Sequence, residues 1–334
     1  MFEALLTLCL DASAGPCRDL LLPGFEAPTQ AECEALSSGI EGARCLPVGV
    51  TLDLEELAPG VFVHVGQIDE PDAQNGGDVA NIGFVVGTRS VAVMDCGSAA
   101  WIGEGLWRAI RARTDLPVSH VIVTHMHPDH ALGCTPFIAA GAEVVGHERL
   151  PRALADRREN YRESLSRLIG PGRFLGSDTP KVARTVATET PVDLGDRTLT
   201  LRPWPNAHTG TDLTVQDEAT GLMFTGDLLF DTHTPALDGS LRGWQAVLSD
   251  LTALPATGVI PGHGGPLLPW PDGAAPLRRY LVVLAEDTRR AIDAGERLGD
   301  AVQHIAASEA PHWALFEAYN PRNATVAFTE LEWE

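Results

Sequence analysis

The sequence predicts an α/β fold, and three observations support this class. Short apolar segments typical of strands alternate with segments whose apolar residues recur every three or four positions, as in helices. The order of these patterns in the second half of the chain resembles the order in the first half. Hydrophobic residues make up 44% of the 334 residues and charged residues 21%, which is ordinary globular composition. We therefore expect one large domain with additions at its ends.

The first 50 residues are predicted to form a cysteine-containing N-terminal segment. Four of the six cysteines fall in it: Cys9, Cys17, Cys33 and Cys45. These four contain no Cys-x-x-Cys pair, which disfavours a zinc ribbon and favours disulfides, with all three pairings open. The alternative is that all four are reduced thiols packed as small apolar side chains. Cys96 and Cys134 are expected to be buried side chains of that kind.

Disulfides would indicate an oxidising compartment. The apolar start, residues 1–10, has no Lys or Arg before Arg18, unlike an intact signal peptide. If the disulfides form, we expect that a signal preceded this start and was removed.

Further along the chain, the prediction is a linker over residues 47–59 followed by two runs of alternating elements. The first run has strands at 61–65, 82–86, 91–94, 118–123 and 142–145, with helices near 102–110, 131–140 and 152–168. The second run has strands at 198–201, 213–216 and 222–225, a helix near 241–254 and a strand ending at 260. Helical spacing returns after Pro271. The expected organisation is an N-terminal segment (1–50), a main domain (58–270) and a C-terminal helical extension (271–334).

The charge excludes several partners. The chain carries 24 basic and 45 acidic side chains, a net charge of −21, which repels phosphate backbones and anionic lipid. No apolar run approaches the ~20 residues that span a bilayer. We expect a small-molecule substrate, with no nucleic acid and no membrane span.

Potential metal ligands follow the strand at 118–123. The sequence there continues His125-Met126-His127-Pro128-Asp129-His130. Alternate side chains of a strand share a face, so His125 and His127 can reach one metal, while the turn at Pro128 directs Asp129 and His130 elsewhere. Three further candidates lie at the ends of predicted strands or in the loops after them: His208, Asp227 and His263. Each alone is more often a packing or turn residue, but together they predict a metal centre.

This constellation resembles the metallo-β-lactamase-fold hydrolase superfamily over about residues 58–270. The resemblance implies an αββα sandwich with metals at one edge of the inner sheets. Carried over residue by residue, it implies that His125, His127 and His208 bind the first metal, that Asp129, His130 and His263 bind the second, and that Asp227 bridges them. It also implies that Asp95 hydrogen-bonds to the ligands and orients them without binding the metal itself.

The function expected from this resemblance is that of a dinuclear hydrolase. Five imidazoles and two carboxylates suit Zn²⁺ best, although Fe or Mn can use the same ligands. A hydroxide held between two metals would attack an ester, thioester or related carbonyl, with Asp129 and Asp227 as the catalytic carboxylates. β-Lactamases of this fold generally lack the bridging Asp, so Asp227 points toward the branch that includes thioesterases of glyoxalase II type.

Three alternatives stay open. One is a mononuclear iron persulfide dioxygenase, which shares the fold and much of the ligand set. Another is β-lactamase-like or lactonase activity, although Tyr161, Tyr280 and Tyr319 all lie away from the ligand motifs in sequence. The third is a non-catalytic metal-site binding module. His233 and Trp204 are further candidates for lining the substrate cleft.

The chain ends are similar to those of quinoprotein relay system zinc metallohydrolases. The similarity lies in residues 1–10 with the later Cys17, and in the closing residues 331–334. It implies a periplasmic bacterial hydrolase associated with quinoprotein dehydrogenases.

Overall fold

The computed structural model describes residues 1–11 and 15–333. Residues 12–14 of the N-terminal segment and Glu334 of the closing tail lie outside the described residues. The predicted boundaries at 1–50, 58–270 and 271–334 stay a prediction.

The N-terminal segment forms a small antiparallel sheet of three strands with one helix. The sheet has the order β2-β1-β3. A capping box between Thr29 and Glu32 starts the helix. The expectation of disulfides is confirmed, with Cys9 bonded to Cys17 and Cys33 bonded to Cys45. The elements are β1 (Phe2–Cys9), β2 (Cys17–Ala27), α1 (Gln30–Ser37) and β3 (Arg44–Pro47).

The first half of the main domain is built on a seven-stranded mixed sheet of order β10-β9-β8-β7-β6-β5-β4. Strand β8 spans the predicted residues, whereas residues 55–58, expected in a linker, form β4. The elements are β4 (Glu55–Ala58), β5 (Val61–His64), β6 (Ile82–Val86), β7 (Val91–Met94), α2 (Ala100–Arg111), β8 (Val118–Val123), α3 (Pro128–Ala131), α4 (Thr135–Ala139), β9 (Glu143–His147), α5 (Leu150–Ile169), α6 (Pro171–Phe174) and β10 (Arg184–Val186).

The helix expected over 131–140 is broken into α3 and α4 at Gly133. This glycine lies so close to the carbonyl of Cys96 that a Cβ would come within 1.9 Å of its oxygen. The same contact brings Cys134 beside Cys96, and the two are disulfide-bonded. Our expectation of two unpaired cysteines was therefore wrong. The bond links the loop after β7 to the segment that carries Asp129 and His130.

The second half of the main domain is a five-stranded sheet of order β11-β12-β13-β14-β15. Strand β14 runs past the predicted end at residue 225, because a register irregularity at Gly226 lets the strand continue. Asp227 therefore lies within β14 rather than after it. The elements are β11 (Thr190–Asp193), β12 (Thr198–Pro203), β13 (Leu213–Asp217), β14 (Leu222–Phe230), α7 (Leu241–Thr252) and β15 (Gly258–His263).

The two large sheets pack face to face, with helices on their outer sides. The buried residues between the sheets come from both of them and include Val63, Ile122, Val215 and Phe224. The outer face of the first sheet is covered by α2 and its neighbours. The expected αββα sandwich is therefore confirmed.

The C-terminal extension packs on the second sheet. Its helices are α8 (Ala275–Asp293), α9 (Leu298–Ala301) and α10 (Phe316–Leu331), with 3₁₀ turns at Asp272–Ala274 and Ala307–His312. Residues such as Leu284 and Phe328 share one core with Trp244 of α7. In residues 1–11 and 15–333, no helix combines the length and apolar character needed to cross a membrane.

Two ion pairs hold the N-terminal sheet on α2. The buried Glu3 carboxylate accepts hydrogen bonds from Arg108 at 2.8 and 2.9 Å. Arg18 donates to Glu104 at 2.5 Å. Both acidic side chains are nearly inaccessible, so each depends on its arginine to offset the cost of burying a charge.

Candidate metal centre

All seven predicted ligands come together at one edge of the sandwich. His125 and His127 follow β8, and His208 lies in the loop between β12 and β13. Asp129 and His130 occupy α3, which begins at Pro128 directly after His127. Asp227 projects from β14, and His263 ends β15.

The seven side chains form two adjacent groups. In each group the potential ligand atoms lie within 4.8 Å of one another. The first group contains His125, His127, His208 and Asp227, and the second contains Asp129, His130 and His263. For the five histidines and Asp129 this division is the one that the family resemblance implies, and Asp227 lies with the first group.

Each histidine is oriented by an oxygen at the ring nitrogen that faces away from the cluster. His130 Nδ1 lies 2.8 Å from Asp95 Oδ2, and His127 Nε2 lies 3.2 Å from Asp238 Oδ2. For the other three histidines, the Nδ1 partners are Thr124 Oγ1 at 3.0 Å (His125), the Ala236 carbonyl at 2.5 Å (His208) and the Val79 carbonyl at 2.9 Å (His263). A carbonyl or carboxylate oxygen can only accept a hydrogen bond, so the ring nitrogen that faces it carries the proton. The opposite nitrogen is then free to act as a ligand.

The inward-facing atoms fit a cation. His125 Nε2, His130 Nε2 and Asp227 Oδ1 are buried and have no hydrogen-bond partner within the part of the chain described. His127 Nδ1 and His208 Nε2 face each other at 3.0 Å, although their outward nitrogens both contact acceptors. Buried polar atoms are costly without partners, and a metal bound between these nitrogens would satisfy them. The donor set of imidazoles and carboxylates is therefore suited to a divalent metal.

The charges of the cluster support the same conclusion. Burial lowers the pKa of His263, but Asp227 and Asp129 outweigh it and raise that pKa to about 9. Burial likewise opposes the charge on His130, yet Asp227 and the other carboxylates raise its pKa well above the usual range. In contrast, burial lowers the pKa of His208 to about 3. The carboxylates therefore stabilise positive charge at the centre, and a bound metal ion can supply that charge.

Asp95 supports the centre from behind, as the resemblance implies. Its Oδ2 accepts from His130 and, at 2.8 Å, from Thr124 Oγ1, while its Oδ1 accepts from the Thr124 backbone N–H at 2.8 Å. The Asp95 backbone has a φ of 58°, a left-handed conformation that Asp and Asn tolerate better than most residues. Asp95 thereby fixes the orientation of His130 relative to the end of β8.

A cavity of about 430 Å³ opens on the centre. His127, Asp129, Asp227 and His263 contribute to its lining, together with apolar side chains such as Phe230. His233 also lines it, as expected. Trp204 does not; it is buried in the core, where its Nε1 donates to Thr214 Oγ1.

Sequence reasoning missed several residues of this cavity, among them two from α10 and one from the loop before α7. Tyr319 and Arg322 reach it from α10, and Asp238 reaches it from the loop before α7. Tyr319 lies away from the ligand motifs in sequence, but the fold brings it to the cavity, where the centre of its ring lies 4.7 Å from that of His233. Only the tertiary fold brings these side chains together, so no local motif signals them.

The fold and the site define an αββα protein with a histidine- and aspartate-rich centre suited to divalent metal. A family model for the metallo-beta-lactamase superfamily matches residues 75–263, more than half of the chain, and the chain belongs to that superfamily. Membership of this superfamily supports a general assignment of the chain as a metal-dependent hydrolase. No curated protein matches the sequence.

Solved structures show the same fold. A metallo-beta-lactamase from Pontibacter korlensis is 20% identical, with a TM-score of 0.56 over 70% of this chain and 99% of that one. The protein TMB-1 is 19% identical, with a TM-score of 0.53 over 73% and 100% of the two chains. Metallo-beta-lactamase IND-7 is 18% identical, with a TM-score of 0.50 over 64% and 91%. At these identities the likeness concerns the fold alone.

Proposed function

We propose that this protein is a dinuclear zinc-dependent hydrolase of ester, thioester or related carbonyl substrates. The observation that carries the proposal is the position of Asp227. Its Oδ2 lies 3.3 Å from His208 Nε2 of the first group and 3.5 Å from His263 Nε2 of the second. Its Oδ1 lies 3.2 Å from His130 Nε2. A carboxylate so placed can bridge two ions, and the nitrogen-rich ligand set suits Zn²⁺, with Fe or Mn as alternatives.

The residues around the centre have distinct tasks in this reaction. When bound, a pair of divalent cations supplies Lewis acidity that lowers the pKa of water and polarises a carbonyl. Asp129 lines the cavity, and its Oδ2 lies 3.3 Å from His263 Nε2. Although burial opposes ionisation, His130 and His263 keep the pKa of Asp129 well below its usual value. Its carboxylate therefore stays ionised and can accept a hydrogen bond that orients the attacking water.

The cavity is suited to a small acyl substrate. Its volume of about 430 Å³ falls in the range of small-molecule sites. Val79, Phe230, Leu237 and Val326 supply apolar walls near the carboxylates and imidazoles. These walls can hold an acyl chain and exclude bulk water while the polar floor orients the carbonyl.

The test combines metal content with turnover. Protein purified without added metal is analysed by mass spectrometry and assayed against phenyl esters, thioesters and β-lactams. We expect near two Zn per chain with ester or thioester hydrolysis. About one Fe per chain without hydrolysis would overturn the proposal and favour the dioxygenase. Metal binding without any turnover would favour a binding module.

We also propose that the protein works in an oxidising compartment, the bacterial periplasm. Support comes from the pairing of all six cysteines in three disulfides. An association with quinoprotein dehydrogenases rests on the resemblance at the chain ends. Alkylation of the unfolded, unreduced protein followed by intact mass measurement should label no cysteine, and six labelled cysteines would contradict the assignment.

A further inference from the structure

The charged residues that line the cavity are unevenly distributed. Four carboxylates line it, from Asp69, Asp129, Asp227 and Asp238. Among the described lining residues, Arg322 is the one arginine, and no lysine is present. In a chain with a net charge of −21, a single guanidinium at the cavity is a specific place for a negative group to bind.

Arg322 and Tyr319 form a pair of donors on one face of α10. They are three residues apart, the spacing at which helix side chains are neighbours. The Arg322 guanidinium lies 5.6 Å from the centre of the Tyr319 ring. Across the described residues, no hydrogen bond involves the Tyr319 hydroxyl or the Arg322 guanidinium. Both groups are therefore free to donate to a ligand.

The neighbouring polar residue on α10 has no such freedom. Asn323 donates to the Pro235 carbonyl at 2.6 Å and to the Tyr280 hydroxyl at 2.8 Å, and its Oδ1 accepts from the Leu237 backbone N–H. Asn323 therefore fixes α10 against the main domain. It holds the donor pair at a constant position over the cavity.

The guanidinium already has a carboxylate within reach. Glu70, in the loop between β5 and β6, lies 3.8 Å from Arg322, and both side chains are about half exposed or more. This separation exceeds a hydrogen bond, and an exposed pair of this kind contributes little to stability. A carboxylate on a ligand could therefore replace Glu70 at small cost.

We propose that Arg322 and Tyr319 bind a carboxylate on the substrate, so that the preferred substrates are esters or thioesters whose acyl chain ends in a carboxylate. This inference rests on the proposed hydrolase function. In the free protein Glu70 is only a loose ion-pair partner of the guanidinium at 3.8 Å, and it is displaced when substrate binds. The specificity of the enzyme then resides in its C-terminal extension, while the main domain supplies the chemistry.

The test compares two esters that differ only at the end of the acyl chain. Monophenyl glutarate ends in a carboxylate, and phenyl pentanoate ends in a methyl group. For the metal-loaded wild type we expect kcat/KM to be about tenfold to a hundredfold higher for the glutarate ester, as for one or two charge-assisted hydrogen bonds. Arg322→Ala should bring this ratio close to one, mainly by raising KM for the glutarate ester.

Arg297→Ala is the matched control. Arg297 is an exposed arginine just before α9 and away from the cavity lining, so its removal makes the same charge change. This variant should keep the wild-type ratio. Equal losses in Arg297→Ala and Arg322→Ala would show a general charge effect and overturn the proposal, as would a wild-type ratio near one.

A binding measurement separates this proposal from the hydrolase proposal. Calorimetric titration with glutarate monoanilide should give a Kd about tenfold or more higher in Arg322→Ala than in wild type, and a lower Kd in Glu70→Gln. If neither ester is hydrolysed but this pattern appears, the hydrolase proposal fails and the carboxylate site stands. If both esters are hydrolysed equally and the anilide binds all variants alike, the site fails and the hydrolase stands.

Discussion

Replacing Asp95 by Asn should selectively weaken metal binding by Asp129, His130 and His263. Asn tolerates the left-handed backbone at this position, and its Oδ1 can still accept from the Thr124 N–H. Its amide nitrogen, however, then faces His130 Nδ1, where Asp95 Oδ2 lies at 2.8 Å. Two donors cannot share that contact, so the His130 proton moves to Nε2, the atom that should bind the metal.

The magnitude follows from the loss of this one orienting contact. Replacing such a partner typically weakens metal binding by about 10- to 100-fold, or about 1.4 to 2.8 kcal/mol. Zinc titration against a chromophoric chelator should show this loss for one of two sites. Nitrogen-15 spectra of the histidine side chains should report the changed tautomer of His130.

Asp217→Asn provides the control for a lost buried charge. Asp217 is buried and accepts from Arg197 at 2.9 and 2.7 Å, with no contact to a histidine of the centre. This variant should lose stability but keep both zinc affinities. The reasoning would be refuted if Asp95→Asn bound zinc like the wild type, or if both variants lost the same affinity at both sites.

Three further predictions follow from the same structure. His125→Ala should abolish hydrolysis and lower metal content, because it removes a buried ligand nitrogen of the first group; full activity with unchanged metal would refute the assignment. Replacing both Cys96 and Cys134 by Ser should lower the free energy of unfolding by about 4 kcal/mol in urea titrations, since the bond closes a loop with a sequence separation of 38. His64, buried against Asp78, has a pKa raised above its usual value, because hydrogen bonding and charge from Asp78 outweigh the lowering by burial. Its contribution to stability is therefore fully present below about pH 6.5 and is lost as pH rises through the higher folded pKa, so His64→Gln should destabilise more at pH 6 than at pH 9. An equal effect at both pH values would contradict this.

The parts of the fold that could be predicted are those encoded locally. The strand at 118–123 ends in the apolar run Val121-Ile122-Val123, which Thr124 and the histidine run follow directly, so its end is visible in the sequence. The run from His125 to His130 carries four ligands within six residues, which chance seldom produces. His208 and His263 could be assigned as metal ligands only when they were considered together with that run.

The parts that could not be predicted depend on contacts distant in sequence. Cys96 and Cys134 each stand alone in the sequence, and their pairing requires the close approach of Gly133 to Cys96. Tyr319 and Arg322 belong to a helix whose sequence gives no sign that it covers the cavity. Asp227 was predicted as a ligand, but its position within β14 was not, because a register irregularity within a strand has no local signature.

The ion pair between Glu3 and Arg108 sets an order of events during biosynthesis. The two residues are 105 positions apart. A ribosome adds about 5–20 residues per second, so Glu3 exists for roughly 5–20 s before Arg108 is even made. During that interval the Glu3 carboxylate, which is buried in the folded protein, has no arginine partner. Strand β1 can therefore bury the Glu3 carboxylate against its partner only after α2 has been synthesised.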